Sequence, residues 1–248
     1  MITIKTPEEM SKMREACRLT KLALLEVENS LQVGMTTKEL DKRIHEFICD
    51  MGGRPNFLNY NGYPGSICVS IDEEVVHGIP SHSRIIKEGQ IISVDLGVEY
   101  DGFNGDAARS FYLGEISKEK AKLVEITKEC FFKGIEGVMA GTPLGNIGSA
   151  IQAHAESHGY GVVRALVGHG IGKKLHEDPS VPNFGIRGTG IRLKAGMTLA
   201  IEPMINMGTM QVEFMSDGWG VVTKDRQPSA HYENTVAITD DGVEILTL

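Results

Sequence analysis

Five side chains of metal-binding type stand where an ordinary fold gives little reason for them: Asp95, Asp106, His169, Glu202 and Glu233. Four carboxylates and one imidazole make an oxygen-rich donor set, and a pair of divalent metal ions is the economical reason to bring such a set together. A set with a single histidine favours Mn, Fe or Co over Zn, while the ion taken up in a cell follows availability. Taken singly, several of the five have plainer readings. Asp106 follows a glycine in ordinary turn chemistry, and Glu202 or Glu233 alone could be a surface glutamate. Asp95 differs, because it follows Ile91, Ile92 and Val94 in a run that should be buried. Buried carboxylates are rare unless paired or metal-bound.

The local pattern places two of the five. Gln90 to Asp106 reads as two strands joined at Asp101-Gly102, and Asp-Gly between strand-like runs signals a hairpin whose type I′ turn needs positive φ. With the turn centred on that pair, Asp95 opposes Ala108 and Asp106 opposes Gly97. The two aspartates then share one face as diagonal neighbours, roughly 7 to 8 Å apart at Cα. An odd-length loop or a bulge would put them on opposite faces.

The C-terminal half carries the other three. Gly168-His169-Gly170-Ile171-Gly172 follows a strand pattern, and a phosphate-binding glycine loop is a rival reading. That rival needs a helix directly after the glycines, whereas Pro179 and Pro182 follow and no helical period does. The glycines read better as room for the backbone beside a metal and substrate. His176-Glu177 places a second imidazole on the same segment. Pro203 forces Glu202 into an extended conformation at a strand end, and Glu233 stands where the closing hairpin begins.

The elements that must position these residues are legible in outline. Thr6-Pro7-Glu8-Glu9 is a capping box with proline at the first helical position, launching a helix to about Ser30. A second helix starts at Thr36 or Thr37 and stops at Gly52-Gly53. A short strand covers Ser66 to Ile71, and a loop holding His77 follows. Helices are expected from about Ser117 to Ala140 and Leu144 to Ser157. Strand-like segments then run Gly161 to Val167, Met197 to Ile205 and Trp219 to Thr223, with a hairpin from Glu233 to Leu246 turning at Asp241-Gly242. Superposing Gly34 on Gly141 also superposes Leu40 on Ile147, Ile44 on Ile151 and Gly52 on Gly159, so helix, helix, then strands occurs twice. An α+β fold follows, read as one domain over residues 1–248, with two similar halves and the metal site on the sheet face between them.

Composition narrows the function classes. A formal net charge of −8 argues against nonspecific nucleic-acid binding. Lys173, Lys174, Arg187, Arg192 and Lys194 could form a local basic patch, though such a cluster is more often a solvated face. Cys17, Cys49, Cys68 and Cys130 include no Cys-x-x-Cys pair, which argues against a disulfide scaffold or structural zinc and suits a reducing cytoplasm. No signal segment or membrane-length apolar run is present.

Together these motifs resemble a known family. Val94-Asp95 with Gly105-Asp106, Gly168-His169-Gly170-Ile171-Gly172 with His176-Glu177, Ile201-Glu202-Pro203-Met204, and Ala230-His231-Tyr232-Glu233-Asn234-Thr235 look like the type I methionine aminopeptidases. Asn61-Gly62-Tyr63-Pro64 and His77-Gly78-Ile79-Pro80 extend the likeness over essentially the whole chain. The resemblance implies a pita-bread fold, pseudo-two-fold with a central antiparallel sheet and helices on the outer face, with halves of roughly 1–113 and 114–248. It implies two divalent ions (Co, Mn, Fe or Zn): Asp95 on one, Asp106 and Glu233 bridging, His169 and Glu202 on the other, with an activated water as nucleophile. His176 would stabilise the oxyanion, His77 would contact the scissile amide, and Glu202 would also shuttle the proton. Tyr60, Tyr63, Cys68, Leu175 and Trp219 would line a methionine pocket, since aromatic and thiol surfaces suit a thioether. Trp219 could instead be a core aromatic. The substrate would be the N-terminus of a nascent polypeptide with a small second residue, met by a cytoplasmic monomer with transient ribosome association. No membrane or specific nucleic acid is implied. Leu175 stands where phenylalanine is usual in the family and Asn234 where histidine is frequent. The absence of an N-terminal segment with Cys and His zinc motifs suggests the minimal bacterial form. Two alternatives are a proline-specific aminopeptidase or prolidase of the same fold, and a noncatalytic peptide-binding relative.

Overall fold

The computed structural model describes residues 2–248. Two helices open it, α1 (Pro7–Ser30) and α2 (Thr37–Asp50). Each begins with the reciprocal box read from sequence: Glu9 N donates to Thr6 Oγ1 at 3.2 Å while Thr6 N donates to Glu9 Oε2 at 3.1 Å, and Thr36 and Glu39 repeat the arrangement. Next come β1 (Arg54–Pro55), β2 (Ile67–Ile71), β3 (Glu74–Val76), β4 (Ile91–Tyr100) and β5 (Phe103–Tyr112). A second helix pair follows, α3 (Lys118–Ile135) and α4 (Gly145–Ser157). Short strands complete the chain: β6 (Gly161–Val162), β7 (Gly168–Gly170), β8 (Glu177–Val181), β9 (Thr198–Ile201), β10 (Met204–Asn206), β11 (Val212–Phe214), β12 (Val221–Thr223), β13 (Ser229–His231), β14 (Asn234–Ile238) and β15 (Val243–Ile245).

All registered strand pairs are antiparallel, in sheets β1-β4-β2 with β5 on β4, β13-β10-β6, β11-β12-β3 and β15-β14-β9-β7-β8. An apolar cluster that includes Leu24 of α1, Leu40 and Ile44 of α2, and Ile92 and Val94 of β4 ties the first helix pair to the hairpin. Phe131, Ile147, Leu199 and Val236 belong to a second cluster, which joins α3 and α4 to the C-terminal strands. The glycines matched between the two halves share one backbone conformation: Gly34 and Gly141 have φ of +91° and +90°, Gly52 and Gly159 +78° and +82°.

Several segments are shorter than their patterns suggest. The third helix ends at Ile135 rather than near Ala140, because Glu136 turns extended and Gly137 takes φ +71°. Residues 161–167 keep only a two-residue strand, and 197–205 divides into β9 and β10 around Pro203, which has no N–H to continue a ladder.

Candidate metal centre and adjoining pocket

The β4–β5 hairpin turns at Asp101 (φ +47°) and Gly102 (φ +76°), the conformation a type I′ turn requires. Its register pairs Asp95 with Ala108 and Gly97 with Asp106, so both aspartates face the same side. Asp95 is also flanked by Cys68 across β2. His169 is the centre of β7, Glu202 follows the last residue of β9, and Glu233 lies between β13 and β14. Tertiary contacts hold the second group against the first. Glu233 N donates to Ala108 O at 3.0 Å, Asp106 N donates to Thr235 Oγ1 at 3.0 Å, and that hydroxyl returns a bond to Asp106 O at 2.8 Å. The Arg109 guanidinium bonds the carbonyls of Ala108 and Glu233 and the side chain of Asn234.

Ligand atoms of Asp106, His169 and Glu233 all lie within 4.8 Å of one another. His169 Nε2 is 3.7 Å from Asp106 Oδ2 and 3.7 Å from Glu202 Oε1. His169 Nδ1 faces Gly170 O at 2.8 Å. A carbonyl can only accept, so the ring proton sits on Nδ1 and Nε2 keeps its lone pair, as a metal ligand requires.

Crowding buried carboxylates together favours their neutral forms. Burial pushes Asp95 up to about 7. Asp106 is raised well above the usual carboxylate range by burial, then by the charges of Asp95 and Glu202. Glu202 is raised by burial, then by Glu233 and Asp95. Burial, Asp106 and Asp95 raise Glu233, with Arg109 opposing. Burial and the neighbouring His176 ring push His169 down to about 3, so it is neutral at physiological pH. Asp95 Oδ1, Asp106 Oδ1 and Glu233 Oε1 are buried with no hydrogen-bond partner among the described residues. Unpaired buried acceptors are costly, and hard divalent cations satisfy clustered carboxylate oxygens. The donor set therefore fits divalent metal.

All twelve side chains singled out from sequence line one cavity of about 210 Å³: the five above with Tyr60, Tyr63, Cys68, His77, Leu175, His176 and Trp219. Tyr63 Oη donates to the carbonyls of Ile67 and Gly78, at 3.2 and 3.1 Å. Its ring meets Trp219 edge-on at 5.1 Å between centroids, and Cys68 and Leu175 are buried in the same apolar cluster. His176 pairs through Nδ1 with Tyr60 Oη at 2.6 Å, and its ring lies 4.1 Å from that of His169. Burial and then the His77 ring lower its pKa; burial likewise lowers His77, which sits at φ +61° near Trp219.

The model of Metallopeptidase family M24 matches residues 11–240. The chain belongs to that family. A methionine aminopeptidase of Clostridium acetobutylicum is 53% identical over 248 residues, covering 100% of this chain and 99% of the relative. The crystal structure of methionine aminopeptidase from Rickettsia prowazekii superposes with a TM-score of 0.98 at 42% identity, covering both chains completely. A prolidase from Pyrococcus horikoshii, at 22% identity and TM-score 0.78, covers 99% of this chain but 63% of its own and shares the fold alone. Within family M24 the chain is a metal-dependent hydrolase of the type I bacterial methionine aminopeptidase group, with the pita-bread fold.

For this M24 chain, sequence reading missed Phe57 and Asn61, which also line the cavity. Asn61 takes φ +49° beside the motif glycine Gly62, and an Asn-Gly pair was the available signal. Asn183 was missed as well: it is buried and its Nδ2 donates to Glu202 O at 2.9 Å. The glycines around His169 have a reason in the neighbouring backbone. A Cβ on Gly168 would come within 2.3 Å of Ala200 O, and one on Gly170 within 2.2 Å of Asp178 O. Neighbouring backbone excludes side chains there.

Proposed function

We propose that this chain hydrolyses the first peptide bond of polypeptides beginning with methionine, using two divalent ions and preferring a small second residue. The observation that carries the reading is the convergence of the oxygen-rich donor set and the thioether-compatible wall in one cavity. Asp95 would hold one ion, Asp106 and Glu233 both, and His169 with Glu202 the other. Ions there would supply Lewis acidity and a water acidic enough to give hydroxide near neutral pH.

The remaining work belongs to the chain's own groups. A Tyr60 hydroxyl donating to His176 Nδ1 would leave the proton of the neutral ring on Nε2, ready to donate to the oxygen that gains charge as the amide is attacked. His77 would contact the scissile amide and assist the departing nitrogen. Glu202, raised by burial and its acidic neighbours, would take up the proton released by the nucleophile and pass it on. Tyr60, Tyr63, Cys68, Leu175 and Trp219 would enclose the methionine side chain, and the small volume supports a short second residue. The substrate would be nascent chains met in the cytoplasm, with transient ribosome contact, by a monomer. No helix among the described residues is long and apolar enough to cross a membrane.

The test is a comparison of metal-loaded protein on Met-Ala-Ser, Met-Lys-Ser, Ala-Ala-Ser and Ala-Pro-Ser, with metal content measured on the same samples. Met-Ala-Ser should be cleaved fastest, with a preference over Ala-Ala-Ser of at least about tenfold because each missing methylene weakens pocket binding. Faster cleavage of Ala-Pro-Ser would move the chain to the proline-specific branch, and no cleavage of any peptide by protein carrying two ions would make it a binding protein.

A further inference from the structure

His231 is a buried imidazole with no part in the reaction above. It ends β13, where its backbone is held on both sides: His231 N donates to Ser110 Oγ at 2.9 Å, Ser110 Oγ donates to His231 O at 3.0 Å, and Met204 is its register partner on β10. The residue is 1% exposed. Its Nε2 is buried without a hydrogen-bond partner among the described residues, and so is Glu233 Oε1. His231 Nε2 lies 3.8 Å from Glu233 Oε2, just beyond bonding distance. An unpaired polar atom in so dry a place is a penalty unless some state of the protein satisfies it. Hydrogen bonds in catalytic sites are commonly long in the free protein and tighten when the ligand binds.

We propose that His231 is a positioning residue of the metal centre, its Nε2–H donating to Glu233 Oε2 when Glu233 serves as an ionised metal ligand. A neutral imidazole has one donor, and the bond to Glu233 consumes it at the atom that otherwise has no partner. Partners of this kind orient a ligating carboxylate and raise metal affinity without touching the metal. The inference rests on the metal-centre reading above.

The test is calorimetric titration of Mn²⁺ into metal-free wild-type protein, His231→Leu, His231→Gln and Asp106→Ala, with thermal unfolding of each metal-free sample. His231→Leu should weaken Mn²⁺ binding by about 10- to 100-fold, the usual loss for an outer partner of a ligand. Its metal-free unfolding temperature should be unchanged or higher, because the unpaired nitrogen is gone. His231→Gln keeps a donor and should bind Mn²⁺ within about threefold of wild type. Should the Leu variant not fold, His231→Met supplies an unbranched apolar replacement with the same expectation. Wild-type affinity in the apolar variant would overturn the inference, as would a Gln variant as weak as the apolar one. A lowered metal-free stability with unchanged affinity would make His231 a structural residue only. If wild type and Asp106→Ala bind Mn²⁺ equally, the metal-centre reading itself fails and this inference with it; tight wild-type binding lost in Asp106→Ala leaves the His231 variants to decide the inference alone.

Discussion

The two walls of the cavity are built on opposite principles. At the acidic end, Asp95, Asp106 and Glu233 each bury an oxygen with no partner among the described residues, and burial pushes their carboxyls toward neutrality, helped at Asp106 and Glu233 by neighbouring acids. Among the apolar lining residues, Tyr63 shares its hydroxyl proton between two carbonyls, Trp219 packs edge-on against it, and Cys68 is buried in the apolar cluster. One wall is left incomplete by the protein alone, and the other is finished before any ligand arrives. Side chains on the first should therefore limit stability and enable binding, whereas those on the second should support stability and shape specificity.

The largest effect tests the incomplete wall. Asp106→Ala should abolish peptidase activity, a loss on the scale of about 10⁴-fold or more, because under the proposed reading it would remove a ligand shared by both ions. The same variant should unfold at an equal or higher temperature when metal-free, since one of the crowded buried acids is gone. Near-normal turnover with two ions still bound would break the contrast at its first point.

His176 stands where the walls meet. His176→Ala should lower kcat by about 10² to 10³-fold with metal content unchanged, the usual loss for one oxyanion donor. A variant that lost its metal instead would assign His176 to the metal wall.

Smaller effects follow from protonation. Asp95 has a folded-state pKa near 7 against an unfolded value of about 4, so the metal-free folded form holds a proton over that range which the unfolded chain has released. Its contribution to stability is thus present below about pH 4 and is lost as pH rises through about 7. Metal competes for the same oxygens, so Mn²⁺ affinity should rise with pH through about 7, by up to about tenfold per unit for each proton displaced. Calorimetry in buffers of different ionisation enthalpy should register that proton release. His169 is held at about 3 and stays neutral in this window. Affinity independent of pH between about 6 and 8 would show that the acids are already ionised in the metal-free protein.

The smallest effect tests the finished wall. Tyr63→Phe should cost about 1 kcal/mol of metal-free stability, because the hydroxyl's bonds to the Ile67 and Gly78 carbonyls are lost while Gly78 O keeps only its bond from Val69 N. Denaturant unfolding would measure it. A variant as stable as wild type would show that the wall is not complete without ligand.

The hairpin shows what local sequence can carry. Asp101-Gly102 set the turn, the turn set the register, and alternation then put Asp95 and Asp106 on one face without any long-range contact. The capping boxes of α1 and α2 were legible for the same reason, since each is closed within four residues. Bonds such as Glu233 N to Ala108 O or Thr235 to Asp106 leave no such trace, because they join segments more than a hundred residues apart. Asn183 and the unpaired nitrogen of His231 stayed hidden for this reason too. A buried asparagine or histidine reads like any other until its neighbours are known.

Sequence by itself determined the hairpin geometry, because short-range spacing suffices for it, and it carried the donor set and the motifs that resemble the family. Tertiary structure decided which strands close over those ligands. It also decided why no side chain fits at Gly168 and Gly170, where the carbonyls of Ala200 and Asp178 stand in the way. The physical reason is range: turns and caps are closed by neighbours along the chain, whereas burial, crowding of charge and missing hydrogen-bond partners exist only once distant strands have met.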